Sequence, residues 1–268
     1  MLVRFDLWPA ALAVGGLVAI LVERRRLGFA LLGLGTAAKL FPVVLVPLGL
    51  LYAARHGGRR AVRDGAVAFV AVLGAIALPF LALAPGGVRY SVESQSGRAL
   101  QIESLGASLL LALHRVGAYA PHAHFSTGSW NLSGSTPQAL AVLQTLAQLA
   151  ALLGVWWLFA RSRRTGPQLA LASTTALAVF ILCDRVLSPQ YLIWLIPFVP
   201  LVLGRRGFAA AGLLVPALLL TRSVYPGRYE DLIRFEALPT WLLVARNVLL
   251  VVLAVELVRQ IGIASRRK

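Results

Sequence analysis

Residues 27–54 read LGFALLGLGTAAKLFPVVLVPLGLLYAA, an apolar run interrupted by one cation, Lys39, in the stretch Ala37-Ala38-Lys39-Leu40-Phe41-Pro42. Lys39 is unusual even in kind, because the chain carries 24 arginines and only two lysines, the other being the terminal Lys268. A cation at membrane depth costs a few kcal/mol and normally faces a polar cavity, a partner or an anionic ligand. Snorkelling to the headgroups is the alternative, but Lys39 lies far from both basic flanks. The run as a whole is as informative as its lysine. Arginine clusters bound it on both sides, so the chain must cross an even number of times between them. Its 28 residues are too few for two ordinary spans of about 20. The segment therefore reads as a broken hairpin of two short helices, interrupted near Lys39–Pro42, where proline removes a donor and disfavours helix before it. Legs of this length, at ~1.5 Å per residue, rise roughly 18 Å into a core of about 30 Å. That places Lys39 past the midplane.

The rest of the chain fits a membrane protein. Hydrophobic residues make up 59% and charged residues 13%, with a mean hydropathy of +0.79, values that exclude a soluble globular domain. Apolar spans fall at about 7–22, 66–84, 138–160, 167–187, 190–203, 207–224 and 238–258. The predicted architecture is an all-α polytopic bundle with about seven spans plus the hairpin, forming a single transmembrane domain over 1–268. Five basic clusters punctuate it: Arg24–Arg26, Arg55–Arg63, Arg161–Arg164, Arg205-Arg206 and Arg259–Lys268. Placing all five inside satisfies the positive-inside rule. That pattern, rather than a binding stripe, accounts for the formal charge of +16, so nucleic acid is not an expected partner. The other side then carries Asp6, Glu93, Glu103, Asp184, Glu230, Asp231 and Glu236, together with one long extracytoplasmic loop, residues 85–137. Within that loop, Ile102, Leu105, Leu109, Leu113 and Val116 share one face, predicting an amphipathic helix on the outer membrane surface.

Candidate chemistry gathers on that side. Cys183-Asp184-Arg185-Val186-Leu187-Ser188-Pro189-Gln190-Tyr191, followed by Trp194, places charge and hydrogen-bonding groups at one mouth of the bundle. The pair His122 and His124 lacks the context of a metal site, and no P-loop, dinucleotide turn or nucleophile elbow is present. Cys183 has no partner thiol and reads as packing.

Four stretches carry a family resemblance: Arg4-Phe5-Asp6-Leu7-Trp8-Pro9-Ala10; residues 33–42 around Lys39; Leu100-Gln101-Ile102-Glu103-Ser104-Leu105; and residues 187–197 around Ser188-Pro189-Gln190-Tyr191. In this order the chain resembles the polyprenol-phosphate-mannose-dependent mannosyltransferases of glycosyltransferase family 87, membrane enzymes of the GT-C class. The resemblance implies a GT-C-like fold. It also implies transfer of a sugar, usually mannose, from a polyprenyl-phosphate donor to a glycolipid or glycan acceptor on the extracytoplasmic face of the cell membrane. No cofactor or metal is implied. Lys39, Arg185 and Arg246 are the expected donor-phosphate contacts. Asp6 and Glu103 are the expected catalytic-site carboxylates, and Gln101, Ser188, Gln190, Tyr191 and Trp194 the substrate contacts. Such enzymes carry an acidic residue in a first outer loop that should precede Asp6, so the sequence reads as the C-terminal portion of one. A transporter or flippase for a polyprenyl-linked or anionic solute is the competing expectation, because broken helices and intramembrane cations serve carriers equally well.

Overall fold

Pro42 has no N–H to offer the carbonyl of Ala38, and helix α2 (Arg25–Ala38) stops there. In the computed structural model, which describes residues 6–266, Lys39 leaves the helix in an extended conformation (φ −159°, ψ 134°). A 3₁₀ turn, Phe41–Leu45, then leads into α3 (Val46–Leu83). Pro47 cannot satisfy the carbonyl of Val44, three residues back in this turn, and the Trp156 indole N–H donates to it instead at 3.1 Å. The break is thus held open by a partner from another helix. Arg4 and Phe5 of the first resemblance stretch, and the terminal Lys268, lie outside the described residues.

The two feet of the hairpin meet. Arg25 donates to the carbonyl of His56 at 3.2 Å, and Arg26 pairs with Asp64 at 2.9 Å. A bend at Gly58 (φ 64°, ψ −163°) separates the returning leg from the rest of α3. The expected span at 66–84 is therefore continuous with the hairpin. Helix α2 packs between α1 (Leu7–Leu21) and α3. A Cβ at Gly28 would lie 2.7 Å from the Gly16 carbonyl, so small residues set the α1–α2 approach.

Beyond α3 follow α4 (Pro85–Ser96), α5 (Leu105–Arg115), α6 (Ser135–Ala160), α7 (Gly166–Cys183), α8 (Arg205–Val224), α9 (Tyr229–Ile233) and α10 (Ala237–Arg266). Helix α7 is the axis of the bundle. It packs against α3, α6 and α10, and its residues Leu169–Val179 are all buried. The protein is an all-α polytopic membrane protein, with five helical segments among the described residues long and apolar enough to cross a bilayer. Two of the seven expected spans resolve differently. Helix α1 has 15 residues, shorter than the ~20 of an ordinary span. The stretch 190–203 is not a spanning helix but two 3₁₀ turns, Pro189–Trp194 and Val199–Leu201, because Pro189, Pro197 and Pro200 remove donors from a continuous ladder.

The 85–137 region holds more structure than a loop. Strands β1 (Leu100–Gln101), β2 (Ala123–Ser126) and β3 (Ser129–Leu132) form a small antiparallel sheet in the order β1-β3-β2. Thr127 and Gly128, both at positive φ (47° and 75°), close the β2–β3 hairpin as a type I′ turn. The amphipathic helix exists as α5, with Leu109, Leu113 and Val116 exposed on its apolar face. Ile102 is instead buried ahead of the helix, while Ser104 caps it by accepting from the Ala107 N–H.

The hairpin is checked by cross-linking. With Cys183→Ser as background, Arg26→Cys and Asp64→Cys should join through a short bis-maleimide. A continuous helix would hold these positions ~57 Å apart, and absence of cross-linking would exclude the hairpin.

Candidate functional site

Three separate stretches of sequence converge on one carboxylate. Asp6, 2% exposed at the entrance to α1, pairs with the Lys39 ammonium and accepts the Trp194 indole N–H at 2.7 Å. Lys39 arrives from the helix break and Trp194 from the 189–194 turn. Residues i and i+3 eclipse in a 3₁₀ helix, and so Tyr191 stacks directly on Trp194, with ring centroids 4.3 Å apart. Phe41 stacks on Trp194 too, at 4.2 Å. The Lys39 ammonium stands 5.4 Å from the Tyr191 centroid and 5.1 Å from that of Trp194, within cation–π range. Lys39 remains partly accessible, whereas Asp6 does not.

A second ion pair lies deeper. Glu103, in the turn between β1 and α5, is paired with Arg246 of α10 at 3.8 Å, both fully buried. Arg246 also donates to the Glu103 carbonyl and to Asn247 Oδ1, while Asn247 donates to the Glu103 and Ser104 carbonyls. Gln101 donates to the Glu103 carboxylate at 3.4 Å. Gln144 of α6 ties this turn to the bundle axis: its Oε1 accepts from Gly106 N–H at 2.9 Å and its Nε2 donates to the Asp184 carbonyl at 2.9 Å. Burial pushes the Asp184 carboxyl above its usual value, against the opposing Val186 N–H hydrogen bond.

The two clusters reach one common space, the first through Tyr191 and the second through Gln101 and Glu103. A polar cavity of about 390 Å³ is lined by Gln101, Glu103, Ser188, Gln190 and Tyr191, with Arg98, Trp130, Tyr225 and Tyr229 opposite. Tyr191 belongs to this wall and to the stack under Lys39. A second cavity, about 450 Å³, lies beyond Arg98 and takes in Arg185, His124 and Gln138. Arg98 borders both. Its Nε, the Gln101 Oε1 and the His124 Nδ1 are buried polar atoms with no partner among the described residues, an arrangement that suits a hydroxyl-bearing ligand. The third space is apolar: about 930 Å³ between Ala37 and Leu40, on either side of Lys39, and α3 and α4 around Phe80 and Val88.

The expected site residues thus form two connected groups rather than one. Asp6, Lys39, Tyr191 and Trp194 are brought together, as are Gln101, Glu103, Ser188 and Gln190. Arg185 borders the second cavity, donating to the Arg98 carbonyl at 3.2 Å. Arg246 borders none of these three cavities; its guanidinium serves Glu103 and Asn247. Phe41, Arg98, Gln144, Asn247, Tyr225 and Tyr229 complete the site and were not singled out from sequence. Phe41 was legible, lying two residues from Lys39. The others needed the fold.

The fold and site define a membrane-embedded protein that gathers ion-paired cations, buried carboxylates and aromatic walls beside an apolar groove. The profile of glycosyltransferase family 87 matches residues 2–189, and the chain belongs to that family, a family of membrane glycosyltransferases. No curated protein and no solved structure matches it. The matched region holds Asp6, Lys39 and Glu103 but ends before Tyr191, Trp194 and Arg246, which join the site through contacts alone.

The pairs are separable by mutation. Asp6→Asn should lower stability by about 1–3 kcal/mol, a range reduced from that of a fully buried pair because Lys39 is partly exposed. The Asp6→Asn/Lys39→Met double variant should recover much of that loss in thermal unfolding; additive losses would show that the two do not act as a unit. Arg246→Met strands the Glu103 carboxylate and should cost about 3–5 kcal/mol, relieved by adding Glu103→Gln.

Proposed function

We propose that the protein transfers a sugar, mannose on the strength of the resemblance, from a polyprenyl-phosphate donor to a lipid or glycan acceptor on the extracytoplasmic face. The observation that carries this reading is that the Lys39 ammonium stands beside Tyr191, a wall of the polar cavity, while its chain neighbours Ala37 and Leu40 line the apolar groove. A polyprenyl-phosphate sugar has the same three parts in the same order: a hydrocarbon chain, a phosphate and a polyol. In this reading the chain lies along Leu40, Phe80 and Val88, and the phosphate meets the Lys39 ammonium. The sugar enters the cavity walled by Tyr191, Gln190 and Gln101. Aromatic faces and amide groups suit a polyol, and a fixed ammonium at the leaving phosphate stabilises charge that develops as the glycosidic bond breaks.

The acceptor hydroxyl attacks the anomeric carbon, the carbon–oxygen bond to phosphate breaks, and polyprenyl phosphate departs. The proton passes to a carboxylate. Glu103 is assigned that role because it lines the cavity, which Asp6 does not. Asp6 and Trp194 orient Lys39, and Arg246 positions Glu103. The acceptor approaches through the second cavity, past Arg98 and Arg185. Lys39 supplies the positive charge, so the reading invokes no metal or nucleotide cofactor.

The arginines support this sidedness. Arg164 donates to the Leu51 carbonyl at 3.4 Å, placing the 161–164 cluster at the same end as the hairpin's feet. With that end in the cytoplasm, Lys39 points outward. Family membership favours transfer over the carrier reading.

The test is a proteoliposome assay with a radiolabelled polyprenyl-phosphate mannose and a membrane glycolipid extract. Lys39→Ala should reduce transfer by at least ~100-fold, the scale of removing a transition-state charge contact, with membrane expression retained. Wild-type turnover in that variant would remove Lys39 from the site, and vectorial movement without transfer would reinstate the carrier.

A further inference from the structure

The opposite end of the hairpin holds a second cluster of cations. Helix α1 ends at Leu21, and the chain turns through Glu23 at positive φ (62°) into three consecutive arginines. The returning leg brings Arg60 and Asp64 to the same place. Together Arg24, Arg25, Arg26 and Arg60 line a pocket of about 500 Å³ with Glu23 and Asp64. Four guanidiniums face two carboxylates, and both carboxylates are engaged. Asp64 accepts from Arg26 and Arg63, and Glu23 pairs with Arg25 at 3.4 Å. Arg24 and Arg60 have no partner among the described residues, and the Arg25 Nε is buried with no acceptor.

The pocket is built, not merely charged. The Arg25 guanidinium packs directly on the backbone at Gly57, just before the bend, where a Cβ would lie 2.4 Å from Arg25 Nη1. Gly58, at φ 64°, turns the backbone so that Arg60 faces the α1–α2 connection. The rim is apolar on one side. Leu27 lines the pocket and is half exposed, and Val22, more exposed still, stands at the end of α1. Unpaired forked donors beside exposed aliphatic side chains match an amphiphile whose head is a phosphate oxyanion.

We propose that this pocket binds the phosphodiester headgroup of an anionic membrane phospholipid. Arg24 and Arg60 supply the forks, while the acyl chains run along Leu27 and Val22. Occupancy would clamp the two feet of the hairpin, whose far end carries Lys39. The site stands whether or not the chain transfers sugar, and its test reads binding alone.

The full chain is placed in phosphatidylcholine nanodiscs, with or without a minor fraction of phosphatidylglycerol, and followed by thermal unfolding and native mass spectrometry. Phosphatidylglycerol should raise the unfolding midpoint by about 4 °C, with one molecule retained. Arg24→Gln/Arg60→Gln should abolish both effects. Arg205→Gln/Arg206→Gln, which removes equal charge from another cluster, should keep them. If the glutamine pair fails to fold, Arg24→Lys/Arg60→Lys keeps the charge but loses the forks, and should retain the lipid about tenfold more weakly. Equal losses in the two glutamine pairs, or no effect of phosphatidylglycerol, would overturn the proposal. A midpoint shift from inorganic phosphate alone, with none from phosphatidylglycerol, would overturn the lipid as the source of the phosphate.

Discussion

An ammonium in a hydrocarbon environment needs a counter-charge, and for Lys39 that counter-charge is Asp6. The requirement reaches well beyond two side chains. It fixes the entrance of α1 against the apex of the hairpin, two points separated in the chain by the whole of α1 and α2. It also explains the aromatic floor: Trp194 donates to the same carboxylate oxygen and carries Phe41 and Tyr191 on its two faces. The 189–194 turn could not sit elsewhere without leaving that oxygen under-coordinated. Once Tyr191 is fixed, so is one wall of the polar cavity. The ion pair thus sets both the local fold and the space in which chemistry is proposed.

The second ion pair divides the labour. Asp6–Lys39 is partly open, whereas Glu103–Arg246 is closed and wrapped by Asn247 and Gln101. Removing two charges from water is costly unless further hydrogen bonds accompany their attraction, and here the surrounding amides provide them. Gln144 then braces the Glu103 turn against the end of α7. The small sheet adds a rigid frame at a point where helices alone would leave β1 and the Arg98 region without backbone partners.

The hairpin was legible because two independent signals agreed: arginine on both flanks and proline after the lysine. Asp6, Lys39, Tyr191 and Trp194 carried recognisable local sequence, and geometry joined them. The stretch 190–203 misled because hydropathy records composition and not the loss of donors at three prolines. The sheet escaped notice because its strands are two to four residues long, too short for alternation to register, although Thr127-Gly128 between Phe125 and Trp130 was a turn signal. Arg246, expected at the donor phosphate, instead meets Glu103 in the fold. No periodicity along one segment reveals a partner more than a hundred residues away.

Helix α7 differs from every other span in having almost no surface for lipid. Ser173, Thr174 and Thr175 sit at its middle, and Thr174 bonds to the Phe198 carbonyl rather than facing a tail. A helix solvated by protein does not sense bilayer thickness. In a thicker or thinner membrane, the outer helices α3 and α8 would tilt to match, while α7 stays as a fixed datum. Lys39 adjoins the turn Phe41–Leu45, which packs on α7, so it stays seated against that datum. A change in the surrounding membrane would then fall on the outer helices and leave the apex of the hairpin in register with the bundle axis.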